Sequence, residues 1–258
     1  MTSGTTHAPA HLLIGHGEHP VIVVHGWVGD HRSFQPLWDD LDRDRFTYAF
    51  MDARGYGAAR GVEGEFTIAE IGEDVLALAD AHGWERFSLI GHSMGAMAVQ
   101  RVLRTDAGRV RALIGITPVP ASGAELDEGA WDLFSRAVDD LDARTTVFTV
   151  TSGDRSSPTW VKRIARESFQ RLDPMAMAGY LRSHANDGFS DDIAGTQTPV
   201  LVLVGEHDPA IQREGMEATY LRWYPNAELD TIANAAHYPM DESPVSLVTT
   251  VERFLDKH

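Results

Sequence analysis

The stretch FSLIGHSMG, residues 87–95, places a serine between a short apolar run and the start of an amphipathic segment. Residues 87–90 predict a buried β-strand, and residues 94–105 predict a helix that begins directly after Ser93. Gly91 and Gly95 flank the serine in the G-x-S-x-G pattern, which is typical of a sharp, strained strand-to-helix turn with an exposed hydroxyl. Because glycine has no Cβ, neighbouring backbone can approach closely at both positions. We therefore predict that Ser93 is a catalytic nucleophile.

The rest of the chain repeats this arrangement of a short strand followed by a longer amphipathic helix. Such βα units predict a mainly parallel sheet, and nearly continuous apolar strands suit a sheet that is covered by helices on both faces. Thr67 is a plausible N-cap for a surface helix over residues 67–82, and residues 243–256 predict a terminal helix. The clearest strand candidates are 21–24, 46–51, 87–90, 111–117 and 200–204, and 227–232 is a plausible last strand.

Residues 119–198 break the alternation of strands and helices, because they are helix-rich and contain no convincing pair of buried strands. We predict that they form an inserted helical cap, and that residues 1–118 and 199–258 form the core domain. Most aromatic and methionine side chains of the insertion should build its own small core, while two or three should line a substrate pocket.

A serine hydroxyl is a weak nucleophile, so a base and an acid that orients the base must follow Ser93. In serine hydrolases with this elbow, the partners follow in the order Ser, Asp or Glu, His. Asp208 lies just after the strand candidate 200–204, at the edge of the sheet where catalytic groups collect. We predict that Asp208 is the acid. Glu206 is the alternative acid, and Asp208 could instead cap the helix that follows it.

His237 is the predicted general base. It follows the last strand candidate, 227–232, and is the last histidine before the terminal helix. His207 and His184 are competing candidates, although the first adjoins the predicted acid and the second lies in the predicted cap. His237 alone completes the three residues in the expected chain order.

Acyl transfer develops an oxyanion, which two backbone N–H groups should stabilise. One donor is the residue after the nucleophile, Met94. The other is assigned to Trp27, because the run ending in His25 and Gly26 places it in the loop after a central strand. The side chains of Trp27 and Met94 remain free to narrow the acyl pocket.

Composition excludes several classes of function. The 258 residues suit one large α/β domain, and the formal net charge of −16 disfavours nucleic acid and anionic lipid as partners. There is no cysteine, so disulfides and thiolate metal sites are excluded. The polar N-terminus and the lack of a long apolar run predict a cytoplasmic protein without a membrane segment. The histidines His7, His11, His16 and His19 lack a carboxylate cluster, so we predict no metal site.

Five motifs in order give the chain a clear resemblance to the α/β-hydrolase superfamily across nearly its whole length. They are His25-Gly26-Trp27, DARGYG at 52–57, the elbow at Ser93, GEHD at 205–208, and Ala236-His237. The chain looks most like the capped esterases and the ring-fission-product hydrolases of that superfamily. The resemblance implies an eight-strand-type sheet, a cap between the sixth and seventh strands, and no cofactor.

The resemblance also carries expectations for individual positions. It implies a structural role for Arg54. The short segment 10–20 leaves little room for the antiparallel pair that usually precedes His25, so one edge strand is expected to be missing or shortened. Haloalkane dehalogenases and epoxide hydrolases of the superfamily need an aspartate at position 93, so the serine excludes both chemistries.

These features predict a serine hydrolase that acts on a small-molecule acyl substrate. The first hypothesis is hydrolysis of a small or medium carboxylic ester, with a lactone as a further candidate. Hydrolysis of a carbon–carbon bond in a ring-fission product could use the same triad. Acyl transfer, thioester cleavage and cofactor-free haloperoxidase activity are minor alternatives. A ligand-binding signalling protein with slow turnover is the alternative outside enzymes. The sequence leaves the natural substrate and the oligomeric state open.

Overall fold

The computed structural model describes residues 8–258, so His7 of the N-terminal histidine set lies outside the described residues. One seven-stranded sheet with the order β1-β3-β2-β4-β5-β6-β7 forms the centre of the molecule. The strands are β1 (His11–Gly15), β2 (His19–Val24), β3 (Phe46–Met51), β4 (Phe87–His92), β5 (Val110–Ile116), β6 (Val200–Gly205) and β7 (Ala227–Ile232).

The sheet is parallel except at one edge, where β1 pairs antiparallel with β3. The expected shortening of the N-terminal pair is confirmed within residues 8–258, because β1 is the only strand before β2. The implied count of eight strands is therefore wrong by one for the described chain.

Helices cover both faces of the sheet, as the apolar strands predict. Every residue of β4 and β6 is buried. Helix α1 (Ile68–Ala81) begins as its sequence predicts, with the Thr67 hydroxyl oxygen accepting from the Glu70 amide. Helix α2 (Met94–Asp106) starts directly after Ser93. The remaining helices are α3 (Glu128–Arg136), α4 (Leu141–Thr151), α5 (Pro158–Arg171), α6 (Pro174–Asn186), α7 (Ser190–Ile193), α8 (Arg213–Ala218), α9 (Tyr220–Trp223), α10 (Pro239–Glu242) and α11 (Pro244–Leu255).

The connection between β5 and β6 contains helices α3 to α7 and no strand. An isolated bridge between Tyr56 and Leu172 ties this insertion to the loop after β3. Val147, Phe148 and Tyr180 of this insertion are buried in the same hydrophobic cluster as the sheet, whereas Met175 is 73% exposed. Within residues 8–258, no helix combines the length and the apolar character that a membrane crossing requires.

Close packing at the start of α2 gives a test of the fold. A Cβ atom at Gly95 would lie 2.4 Å from the carbonyl oxygen of Val24 and 2.5 Å from that of His25. Backbone cannot move away as a flexible side chain can, so Gly95→Ala should lower the free energy of unfolding by about 1–3 kcal/mol.

Chemical denaturation followed by circular dichroism measures this loss. Gly215→Ala is the matched control, because Gly215 also lies in a helix and an added Cβ there meets nothing within 4 Å. The control should be neutral or stabilising by about 0.4–1 kcal/mol. Equal effects of the two substitutions would contradict the packing argument.

Candidate active site

Ser93 occupies a strained turn between β4 and α2. Its φ of 52° and ψ of −117° lie outside the regions that non-glycine residues usually adopt. The flanking glycines make this turn possible, because a Cβ at Gly91 would lie 2.4 Å from the Cα of Ala96. The Ser93 amide donates to the carbonyl of Ile116 at 3.0 Å, which fixes the turn to the neighbouring strand. The serine hydroxyl therefore projects from a backbone turn that is held in one conformation.

Three side chains from distant parts of the chain form one continuous hydrogen-bonded line. The Ser93 hydroxyl donates to Nε2 of His237 with an Oγ–Nε2 distance of 3.0 Å. Nδ1 of His237 donates to Oδ2 of Asp208 at 2.8 Å. Asp208 is 4% exposed and His237 is 8% exposed, so little water competes for these bonds. The arrangement has the geometry that nucleophilic catalysis by a serine requires.

Asp208 contacts both His237 and the loop that follows it, but it does not cap the next helix, because the N-cap of α8 is Gln212. Its Oδ1 accepts from the amides of Ala210 and Ile211, both at 2.9 Å, while its Oδ2 accepts from His237. Burial opposes ionisation, but the charge and hydrogen bond of His237 and the two amides outweigh it and lower the pKa of Asp208. The carboxylate is thus held ionised and oriented toward the imidazole.

The backbone around His237 is held from two sides. The carbonyl of His237 accepts from Nε2 of His92 at 2.8 Å and from the Thr117 hydroxyl at 3.1 Å. On the other side, the Glu242 carboxylate accepts from the amides of Ala236 and Tyr238 at 2.7 and 3.2 Å. These contacts fix the position of the imidazole.

Sequence reasoning missed His92, Thr117 and Glu242 as positioning residues. His92 and Thr117 lie 145 and 120 residues before His237, so no local pattern connects them. Burial and the neighbouring His237 lower the pKa of His92 to about 3, and the ring is therefore neutral at physiological pH.

The alternative candidates for the acid and the base interact with residues other than Ser93. Glu206 accepts from the amide of Asn234 and lies 3.6 Å from Nε2 of His207. His184 is buried on α6, where its Nδ1 donates to the carbonyl of Tyr180 at 2.7 Å. The structure therefore brings Asp208 and His237 to Ser93, and it does not bring these alternatives there.

The two amides predicted to form an oxyanion hole belong to Met94, which directly follows Ser93, and to Trp27, whose chain neighbour Gly26 lies against Ser93. Met94 is the first residue of α2, where a helix leaves its N–H groups without an intrahelical acceptor. Among residues 8–258 the Trp27 amide has no acceptor within hydrogen-bond distance. The loop that carries it is fixed by His25, whose Nδ1 donates to the Gly26 carbonyl and whose Nε2 accepts from the Ala53 amide.

The Trp27 side chain is held by the inserted helices. Its Nε1 donates to the carbonyl of Met177 on α6 at 2.9 Å, and its ring stacks on Phe134 of α3 with 5.1 Å between centroids. Arg54, in contrast, faces α1, where it forms two hydrogen bonds with Asp74 and one with Glu70. These contacts explain the position of Arg54 without a catalytic role.

A cavity of about 470 Å³ lies near Ser93 and His237. Ser93, Asp208 and His237 do not line it, but Gly26, His92 and Tyr238 do, and each of these is a direct chain neighbour of Trp27, Ser93 or His237. A Cβ atom added to Gly26 would lie 3.3 Å from the Cβ of Ser93. The cavity therefore ends close to the serine. Residues 8–258 contain no group of three or more side chains placed to bind a metal ion.

Comparisons with known proteins agree with this architecture. A family model described as alpha/beta hydrolase fold matches residues 19–244. The chain is 26% identical to a pimeloyl-(acyl-carrier protein) methyl ester esterase from Serratia marcescens, over 95% of this chain and 97% of that protein.

Two further similarities cover most of the chain. It is 21% identical to 2-hydroxy-6-oxononadienedioate/2-hydroxy-6-oxononatrienedioate hydrolase 2 from Pseudomonas putida, over 87% of this chain and 83% of that protein. Among solved structures, a hydrolase from Oleispira antarctica superposes with a TM-score of 0.86 at 16% identity, over 97% of this chain and 96% of that one. The structural likeness extends over the sheet and the inserted helices.

The lowered pKa of Asp208 predicts a dependence of stability on pH. A carboxyl whose pKa is lower in the folded state stabilises the fold above its ordinary pKa of about 3.8, and this stabilisation is lost as the pH falls through the folded value. Asp208→Asn should therefore be less stable than the wild type by about 1–2 kcal/mol at pH 7. The difference should narrow below about pH 4.

Urea denaturation of both proteins at pH 7, 5 and 3.5 measures this difference directly. Asparagine retains an oxygen that can accept from Ala210 and Ile211, so the substitution removes the charge of Asp208 and the acceptor for Nδ1 of His237. A difference that stays constant over the whole pH range would contradict the assignment.

Proposed function

Because the chain belongs to the α/β-hydrolase fold family, we propose that it is a serine hydrolase that cleaves a small or medium carboxylic ester through an acyl-enzyme on Ser93. A lactone is included as an internal ester. The single observation that carries the proposal is the line of hydrogen bonds from Ser93 through His237 to Asp208, with distances of 3.0 and 2.8 Å. The similarity to a methyl ester esterase from Serratia marcescens supports the choice of an ester.

In the acylation step, the Ser93 oxygen attacks the ester carbonyl while Nε2 of His237 takes the hydroxyl proton. The resulting imidazolium is stabilised by the Asp208 carboxylate, which accepts its Nδ1–H. When the tetrahedral intermediate collapses, Nε2 returns the proton to the departing alkoxide. The alcohol leaves and the acyl group stays on Ser93.

In the deacylation step, His237 takes a proton from water, and the hydroxide formed attacks the acyl carbonyl. Collapse of the second intermediate breaks the bond to Ser93, and Nε2 of His237 returns the proton to the serine oxygen. The acid product leaves and the enzyme is restored. In both steps the amides of Trp27 and Met94 stabilise the oxyanion, and the positive end of α2 adds to that stabilisation.

The insertion over residues 119–198 acts, in this proposal, as a cap over the site. Its contacts with Trp27 support this role, since α3 and α6 pack directly against the residue that donates to the oxyanion. A small-molecule acyl substrate would bind between this cap and the core domain, and the reaction needs no cofactor.

Removal of the nucleophile is the direct test. Ser93→Ala should lower kcat for 4-nitrophenyl esters by about 10⁴-fold or more, because no other group replaces the serine oxygen. A fluorophosphonate should add its mass to Ser93 in the wild type, as measured by mass spectrometry of the tryptic peptide, and should leave the variant unlabelled.

Ser135→Ala is the control, because Ser135 is exposed on α3. It should retain wild-type turnover and labelling. Ester turnover by Ser93→Ala at a rate near that of the wild type would refute the acyl-enzyme mechanism.

Hydrolysis of a carbon–carbon bond is a second candidate, supported by the similarity to the hydrolase from Pseudomonas putida. The same serine, base and acid could serve it. A panel of methyl, 4-nitrophenyl and lactone substrates beside a ring-fission dienoate separates the two reactions. We expect kcat/KM to be higher for at least one ester than for the dienoate, and selective turnover of the dienoate would replace the ester proposal.

A further inference from the structure

Three buried polar side chains form a network that the mechanism above does not use. Gln100 lies on α2, Tyr220 is the first residue of α9, and Tyr224 follows α9. Gln100 and Tyr220 are fully buried, and Tyr224 is 1% exposed. A buried polar group is costly unless it is hydrogen-bonded, so the partners of these three side chains show what the network holds in place.

The hydrogen bonds of the network run in one direction. The Tyr224 hydroxyl donates to Oε1 of Gln100 at 3.0 Å, and Nε2 of Gln100 donates to the Tyr220 hydroxyl at 2.7 Å. The Tyr220 hydroxyl donates in turn to the carbonyl of Val119 at 3.4 Å. Burial raises the pKa of both tyrosines, so both hydroxyls stay protonated and can donate. The chain of donors therefore ends on Val119.

The backbone that this network holds contacts the nucleophile directly. Besides its bond to Tyr220, Nε2 of Gln100 donates to the carbonyl of Ala96 at 3.0 Å. The amides of Ala96 and Val119 both donate to the carbonyl of Ser93, at 3.0 and 3.1 Å. Ala96 belongs to α2, whereas Val119 belongs to the segment after β5. The network thus holds both residues that bind the Ser93 carbonyl.

The direction of the Ser93 carbonyl determines the direction of the Met94 amide. The two groups belong to one planar trans peptide, so the N–H points opposite to the C=O. Donors that fix the carbonyl therefore fix the N–H as well. They also polarise the peptide, which makes the N–H a stronger donor. Stabilisation of an oxyanion depends on donors that are already aimed at the position where the charge develops.

We propose that Gln100, Tyr220 and Tyr224 are positioning residues that aim the Met94 amide at the oxyanion through the carbonyl of Ser93. This role rests on the acyl-enzyme mechanism proposed above and deepens it. None of the three side chains touches the reacting atoms. Their removal should therefore weaken states that carry an oxyanion and leave binding of the uncharged substrate nearly unchanged.

Tyr220→Phe tests this role, because it removes the hydroxyl that donates to Val119 and keeps the aromatic ring. With 4-nitrophenyl esters we expect kcat to fall about tenfold, while KM changes by less than about twofold. Tyr224→Phe acts one bond further from Val119 and should lower kcat by a smaller factor. The double variant should lose less than the product of the two single effects, because both substitutions interrupt one chain of hydrogen bonds.

An oxyanion analogue separates positioning of the amide from a general loss of structure. The Ser93 oxygen adds to the carbonyl of 1,1,1-trifluorooctan-2-one while His237 takes the hydroxyl proton, and the hemiketal oxygen carries the negative charge. The inhibition constant of this ketone should rise about tenfold in Tyr220→Phe, in parallel with the loss of kcat. An unchanged inhibition constant would contradict the proposed role.

Tyr48→Phe is the matched control. Tyr48 is 1% exposed on β3, and its hydroxyl donates to Glu252 at 2.9 Å, outside the network. This variant also loses a buried hydroxyl, so its Tm should fall about as much as that of Tyr220→Phe. Its kcat and its inhibition constant for the ketone should stay within about twofold of the wild-type values. Equal losses of kcat in both variants would show that lower stability, rather than the network, causes the effect.

Amide hydrogen exchange, measured by NMR, tests the network without any substrate. In Tyr220→Phe the Val119 amide should exchange about tenfold faster than in the wild type, while the amides of β1 keep their rates. If the wild type hydrolyses no ester, the hydrolase proposal fails, and unchanged exchange at Val119 would then overturn the network as well. If the wild type is active but Tyr220→Phe keeps its kcat and its inhibition constant, the positioning role fails and the hydrolase proposal stands.

Discussion

The strained backbone of Ser93 is the constraint on which the rest of the site depends. A residue with a φ of 52° at the end of a buried strand costs about 1–3 kcal/mol, and surrounding contacts must supply that free energy. Gly91 and Gly95 allow neighbouring backbone to close around the turn, and Gly26 leaves room for the side chains of His92 and Ser93. This close packing and the hydrogen bond from the Ser93 amide to the Ile116 carbonyl hold the serine in place.

His237 is positioned by hydrogen bonds rather than by backbone strain. His237 lies on a loop, and its imidazole would be free to turn if only Asp208 held it. The loop is instead anchored through its backbone, by His92 from the strand that carries the serine, by Thr117 from the next strand, and by Glu242 from α10. Since His92 directly precedes Ser93, one segment positions both the nucleophile and the base. This linkage explains how the 3.0 Å distance between Ser93 and His237 is maintained across 144 residues of sequence.

Features encoded over a few neighbouring residues could be predicted from the sequence. The elbow, the α1 cap at Thr67 and the buried strands all follow from local patterns, and the structure confirms the parallel sheet and the family fold. The sequence favoured Asp208 as the acid but left Glu206 as an alternative, because both follow β6 and the loop conformation decides which of them turns toward His237. The cavity could not be predicted from the sequence either. Its two walls come from a core loop and from α5, which are far apart in the chain and share no local pattern.

One hydrogen bond and one stacking contact of the Trp27 ring connect the proposed oxyanion site to the helices between β5 and β6. Its indole is tied to α6 and stacked on α3, while its amide belongs to the core loop beside Ser93. Tyr238, next to the base, is joined in the same way to α4 through the hydroxyl of Thr151. Displacement of these helices would therefore disturb the amide donor and the base together. In mechanical terms α3, α4 and α6 form a brace that couples the loop after β2 to the loop of His237, so neither loop can shift independently of these helices.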